Sequence, residues 1–188
     1  MEYKQGDLIL FSGKTETHLK AQKYIGNKWS QVGILMFWNG QLAILESTKV
    51  PICNDIEKKK LITGVQVVSF DEKISVFDGE VAIRTLKPQL CVKQEEELLK
   101  FANRVRGRPF NDSKYFMARA KERRNVQNEN LSYFCSQLVA ETLQELGILG
   151  KPPLGFSSGN YSPADFCSDS EIKLVDPFVL SIEKVIKS

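Results

Sequence analysis

Apolar positions in the first half of this chain fall in short blocks or alternate. In the second half they recur at three- and four-residue spacings. The early blocks predict strands: "GDLILF" (6–11) entered by a Gly-Asp turn, "GVQVVSF" (64–70) and "EVAIRTL" (80–86). Between the last two lies the Asp71–Asp78 stretch, with no element assigned. "KTETHLKAQKYIGN" (14–27) reads as a short helix or loop, with Thr15 or Thr17 as a cap and Gly26-Asn27 as a stop. "QEEELLKFANRVRG" (94–107) is an amphipathic helix with Leu98, Leu99, Ala102 and Val105 inward. "DSKYFMARAKERR" (112–124) predicts another helix, capped by Asp112 and followed by a polar loop at 125–130. "LSYFCSQLVAETLQELG" (131–147) predicts a third, capped by Ser132 or Asn130, lined by Leu138, Val139, Thr142, Leu143 and Leu146, and ended by Gly147. The last 40 residues are turn-rich, with a short helix start at "ADF" and a terminal apolar segment. Strands first and helices later predict an α+β fold.

The stretch "KYIGNKWSQVGILMFWNGQLAILEST" (23–48) holds two apolar runs around Asn39-Gly40, a strong hairpin signal. A turn centred there sets Trp38 opposite Gln41, Met36 opposite Ala43 and Gly33 opposite Glu46. Side chains alternate between faces, so Gln31, Gly33, Ile44 and Glu46 share one side. Gln31 and Glu46 then become diagonal neighbours, with Cβ atoms about 7–8 Å apart. Neither residue helps a strand to bury itself, so the meeting of the two calls for an explanation.

A chain of 188 residues, 42% of them hydrophobic, predicts one domain over 1–188 with a sizeable core. The net charge of +3 does not mark a nucleic-acid binder, and no run approaches the roughly 18 apolar residues of a membrane span. The N-terminus lacks a signal-peptide pattern, so the expected location is cytoplasmic. Cys53, Cys91, Cys135 and Cys167 are dispersed without a CxxC pair, and His18 is the lone histidine. This argues for reduced thiols, most of them small buried hydrophobes, and against a zinc site or any other cofactor.

Cys135 is the informative thiol. It falls in the first turn of a predicted helix, where unpaired N–H groups favour the thiolate. Taken alone, a cysteine on an apolar helix is ordinarily a core residue. Together, "GDLILF", "SQVGILM…G…AILEST" and "YFCSQLVAE" resemble the circularly permuted, papain-like NlpC-type cysteine hydrolases. The branch is the YaeF/YiiX-like one, with its poxvirus relatives. "GRPFND" (107–112) and "SPADF" (162–166) extend the likeness over most of the chain. The resemblance implies a mostly antiparallel sheet packed against helices, and thiol-mediated hydrolysis or transfer at amide or ester bonds. It implies Cys135 as nucleophile and Glu46 as orienting acid, with Gln31 where the family carries its catalytic histidine.

Gln31 departs from the pattern. A glutamine amide hydrogen-bonds but neither takes nor delivers a proton near neutral pH, and loss of a general base forfeits about 10²–10⁴-fold in rate. The expectation is therefore a weak or inactive enzyme, or a non-catalytic ligand-binding or interaction protein of the same fold. Three alternatives stay open: His18 substitutes as base, Glu46 acts on the thiol directly, or Gln31 is itself an introduced substitution. The expected ligand is a peptide, a peptidoglycan fragment or an acyl lipid. A basic belt over 100–124 is either a solvated helical face or a contact for anionic lipid or phosphate, and carries no nucleic-acid signature. Trp29 and Trp38 are expected to be packing residues.

Overall fold

The computed structural model describes residues 3–112, 132–170 and 172–188. Strand β1 (Leu8–Gly13) leads to helix α1 (Glu16–Ile25), and the hairpin β2 (Gln31–Trp38) and β3 (Gln41–Thr48) follows. Next come β4 (Gly64–Ser69), α2 (Phe70–Val76), β5 (Gly79–Arg84), the two-residue β6 (Leu86–Lys87) and α3 (Val92–Val105). Helix α4 (Cys135–Glu145) precedes two 3-10 turns, Ser158–Asn160 and Pro163–Phe166, then β7 (Val179–Leu180) and β8 (Lys184–Lys187). Six strands form one antiparallel sheet in the order β4-β3-β2-β1-β5-β8, and β6 pairs with β7. The architecture is α+β.

The hairpin forms as its sequence dictates. Asn39 and Gly40 both adopt positive φ, 49° and 80°, the requirement of a tight turn matched to strand twist. The observed register pairs Trp38 with Gln41 and Met36 with Ala43. Alternation then splits the sheet into two faces. Leu8, Leu10, Val32, Ile34, Met36, Leu45 and Val67 form the larger core with Leu98 and Phe101 of α3 and Leu138 and Leu143 of α4. Ile9, Phe11, Leu35, Ile44 and Val68 form the second with Phe70 and Phe77, at and just past the two ends of α2. Trp29 and Trp38 are buried packing residues.

Several expectations shift. Helix α3 turns Phe101 inward and leaves Leu99 42% exposed, so its buried face is rotated from the expected one. The unassigned 71–78 stretch begins with α2, whose Ser69 hydroxyl accepts from the Glu72 N–H. Helix α4 starts later than expected, with Phe134 as its N-cap and no side-chain cap from Ser132. The predicted helix at 112–124 and the loop at 125–130 lie outside the described residues, apart from Asp112. Of the basic belt, Lys100, Arg104 and Arg106 are paired to Glu97, Glu145 and Glu57, while Arg108 reaches the Tyr133 hydroxyl. No described helix is long and apolar enough to cross a membrane.

Candidate functional site

At the end of the sheet where β2 begins and β3 finishes lies a cavity of about 730 Å³. Its walls are largely apolar, with Ala21, Tyr24, Ile25, Val50, Phe77, Phe110, Phe134 and Tyr161 among them. Polar side chains on its wall include Ser30, Gln31, Ser47, Cys135 and Ser136. Cys135 and Gln31 therefore share one chamber.

What fixes Cys135 is a set of ties to the backbone before and beyond it. The Ser47 hydroxyl donates to the Tyr133 carbonyl at 2.6 Å, joining the end of β3 to the approach to α4. The same carbonyl accepts from the Asn111 N–H, and the Tyr133 N–H donates to the Pro109 carbonyl, both at 3.1 Å. That segment is itself bound to edge strand β4, where Gly64 passes so close to Arg108 that a Cβ would sit 2.2 Å from its carbonyl oxygen. Tyr133 is anchored at its other end by donating its hydroxyl to Glu141 at 2.7 Å. Ser136 donates to the Tyr161 carbonyl at 2.7 Å. The first turn of α4 is thus held from three sides.

Glu46 is fully buried. Its Oε2 accepts from Gln31 Nε2 at 2.7 Å, and its Oε1 accepts from Gln66 Nε2 at 2.9 Å and Lys73 Nζ at 2.8 Å. Three donors converge on one carboxylate, one of them a buried cation. The diagonal contact of Gln31 with Glu46 was legible in the hairpin. Gln66 carries the same signal, a lone amide inside a valine-rich strand, on the residue paired with Glu46. Lys73 left no comparable trace, because its burial depends on a helix brought in from beyond β4.

The chemistry at sulfur differs from the expectation. Burial pushes the Cys135 thiol up to about 11. The Val32 and Ser136 backbone N–H groups pull the other way, and the nearby Glu46 charge adds to the rise. The helix start therefore does not make this cysteine a thiolate at neutral pH; loss of water outweighs the amide dipoles. The side chain is 9% exposed, at the margin between core and cavity wall. Helix α4 packs on the Val32 face of the sheet, whereas Gln31 and Glu46 belong to the opposite face. Cys135 and Gln31 both reach the cavity wall, whereas Glu46 lies behind Gln31. Direct action of Glu46 on the thiol has little to recommend it, since both carboxylate oxygens are already engaged.

His18 also lines the cavity. Its Nδ1 lies 2.7 Å from Ser30 Oγ, and its ring stands edge-on to Phe77 at 5.5 Å. Burial holds its pKa below the usual histidine value, with Lys73 lowering it further and Glu46 opposing.

No family model and no curated protein matches the chain. Among solved structures, the metalloprotein YiiX from Escherichia coli O157:H7 superposes with a TM-score of 0.55 at 18% identity, over 78% of this chain and 67% of that one. The chain has a YiiX-type fold. At this identity the likeness to YiiX speaks for the fold alone. Among the described residues no three His, Cys, Asp or Glu side chains come together as ligands.

Proposed function

We propose that the cavity is a thiol acyl-transfer site of the papain-like kind, cleaving or transferring at amide or ester bonds and slow in the form present here. The reading is carried by one observation: Cys135 and Gln31 line the same apolar chamber, and Gln31 is hydrogen-bonded at 2.7 Å to buried Glu46. In this reading the thiol is the nucleophile, the amide stands in for the base and the acid is the orienting residue of a cysteine hydrolase. The apolar walls favour an acyl chain or an apolar peptide side chain, with the scissile group at Cys135. With the thiol at about 11 and an amide in place of the imidazole, the thiolate fraction at neutral pH is small.

A second reading, a non-catalytic ligand-binding protein, is favoured by the same raised thiol and by the saturation of Glu46. Activated acyl esters separate the two. Incubation with p-nitrophenyl butyrate is expected to acylate Cys135 slowly, as an adduct located by mass spectrometry. Gln31→His should raise the rate by adding an imidazole hydrogen-bonded to Glu46. An unmodified Cys135 in both proteins, with butyrate or a fatty acid still bound, would leave only the binding reading.

A further inference from the structure

The imidazole absent from position 31 is present in the same chamber on another element. His18, the single histidine of the chain, projects from α1 and is anchored to Ser30, the residue immediately before Gln31. Its seat is built for a ring: a Cβ on Gly13 would lie 2.3 Å from His18 Cδ2, so only glycine leaves the room. Phe77 closes the other side. The Ser30 hydroxyl has one proton, and it donates that proton to the Phe11 carbonyl at 3.2 Å. With the hydroxyl proton on that carbonyl, Ser30 Oγ accepts from Nδ1–H in the tautomer whose basic nitrogen is Nε2. No described residue occupies Nε2.

We propose that His18 is the acid–base residue of this cavity, taking the proton of the Cys135 thiol and returning it to the leaving group of a bound acyl substrate. This rests on the reading of Cys135 as the acylated residue. As the sulfur–acyl bond forms, the S–H bond breaks and its proton passes to Nε2, directly or through one water. Collapse of the tetrahedral oxyanion breaks the bond to the leaving group, which departs with that proton. Water then adds to the thioester, again giving a proton to Nε2, and the sulfur recovers it as the acyl–sulfur bond breaks. The charged groups around the ring are balanced. Buried Glu46 and Lys73 form an ion pair, and on the cavity wall Lys20 pairs with Glu16 and Asp78 with Lys14. Burial, helped by Lys73 and opposed by Glu46, holds the ring below the ordinary histidine range, so it is neutral and able to accept from there upward.

The test is the pH profile of Cys135 acylation by p-nitrophenyl butyrate. In the native chain the rate should be flat from about pH 6.5 until ionisation of the thiol, at about 11, begins to contribute. His18→Asn keeps a donor for Ser30 but removes Nε2. It should cut the rate at pH 7 by about 10²-fold and make it climb tenfold per pH unit, converging with the native rate at high pH. A profile unchanged in His18→Asn would overturn the proposal. Should that variant fail to fold, Ser30→Ala decides: freeing the ring should lower the plateau about tenfold, and an undiminished plateau would contradict the role. Acylation that persists in Cys135→Ala would instead refute the underlying reading of the thiol.

Discussion

Glu46 and Cys135 are both withdrawn from water at the same end of the sheet, and burial treats them in opposite ways. The carboxylate is met by Lys73 and two amides, so its charge is answered locally. The thiol receives only backbone N–H groups and sits beside a negative charge, so it keeps its proton. The lesson is that burial by itself does not activate a group. What decides is whether the surroundings supply a partner for the charged form, and here they do so for the acid alone. The polar network around Glu46 is consequently a feature of stability first, and chemistry at sulfur has to import its base.

Removing the cation should break this contrast most severely. Lys73→Met leaves Glu46 buried with two neutral donors, and denaturant unfolding should show a loss of about 3–5 kcal/mol. Lys73→Met combined with Glu46→Gln should recover much of it. A single-variant loss below about 1 kcal/mol would mean that the pair is not sealed from water. Next in size is the response of the thiol to pH. Its folded value of about 11 exceeds the unfolded value, so the stabilisation is complete below about pH 8.5 and drains away as pH rises through 11. Relative to Cys135→Ser, the native chain should lose stability over that window by up to about 1.4 kcal/mol per pH unit. Parallel curves would contradict the raised value. Ser47→Ala removes the bond to the Tyr133 carbonyl and should cost about 1 kcal/mol, with faster amide exchange in the first turn of α4. At the small end, Lys100→Ala breaks only an exposed pair with Glu97 and should change stability by less than about 0.5 kcal/mol.

What the chain discloses locally and what it conceals follow the same division. Asn39-Gly40 and strict alternation specify the hairpin, and with it the meeting of Gln31 and Glu46, because both depend on residues close in sequence. Helix α2 was also signalled, by Ser69 followed three residues later by Glu72, but its seven residues, about two turns, offered too little periodicity to stand out. The burial of Lys73 could not be read, since it requires α2 to fold back over β3. Nor could the start of α4: Ser132 is a good cap by type, but the backbone of Tyr133 is committed to Pro109 and Asn111, so the helix begins after Phe134. The rise of the Cys135 thiol could not be read for the same reason. A helix start is a local feature, and the apolar packing that outweighs it is not.

The most direct measurement is the rate at which iodoacetamide modifies Cys135 in the folded protein between pH 6 and 11, read by mass spectrometry at that residue. The account predicts modification that stays slow at neutral pH and rises with an apparent pKa near 11. A thiol already half-ionised below pH 8, or one that remains unmodified at every pH until the protein unfolds, would contradict it.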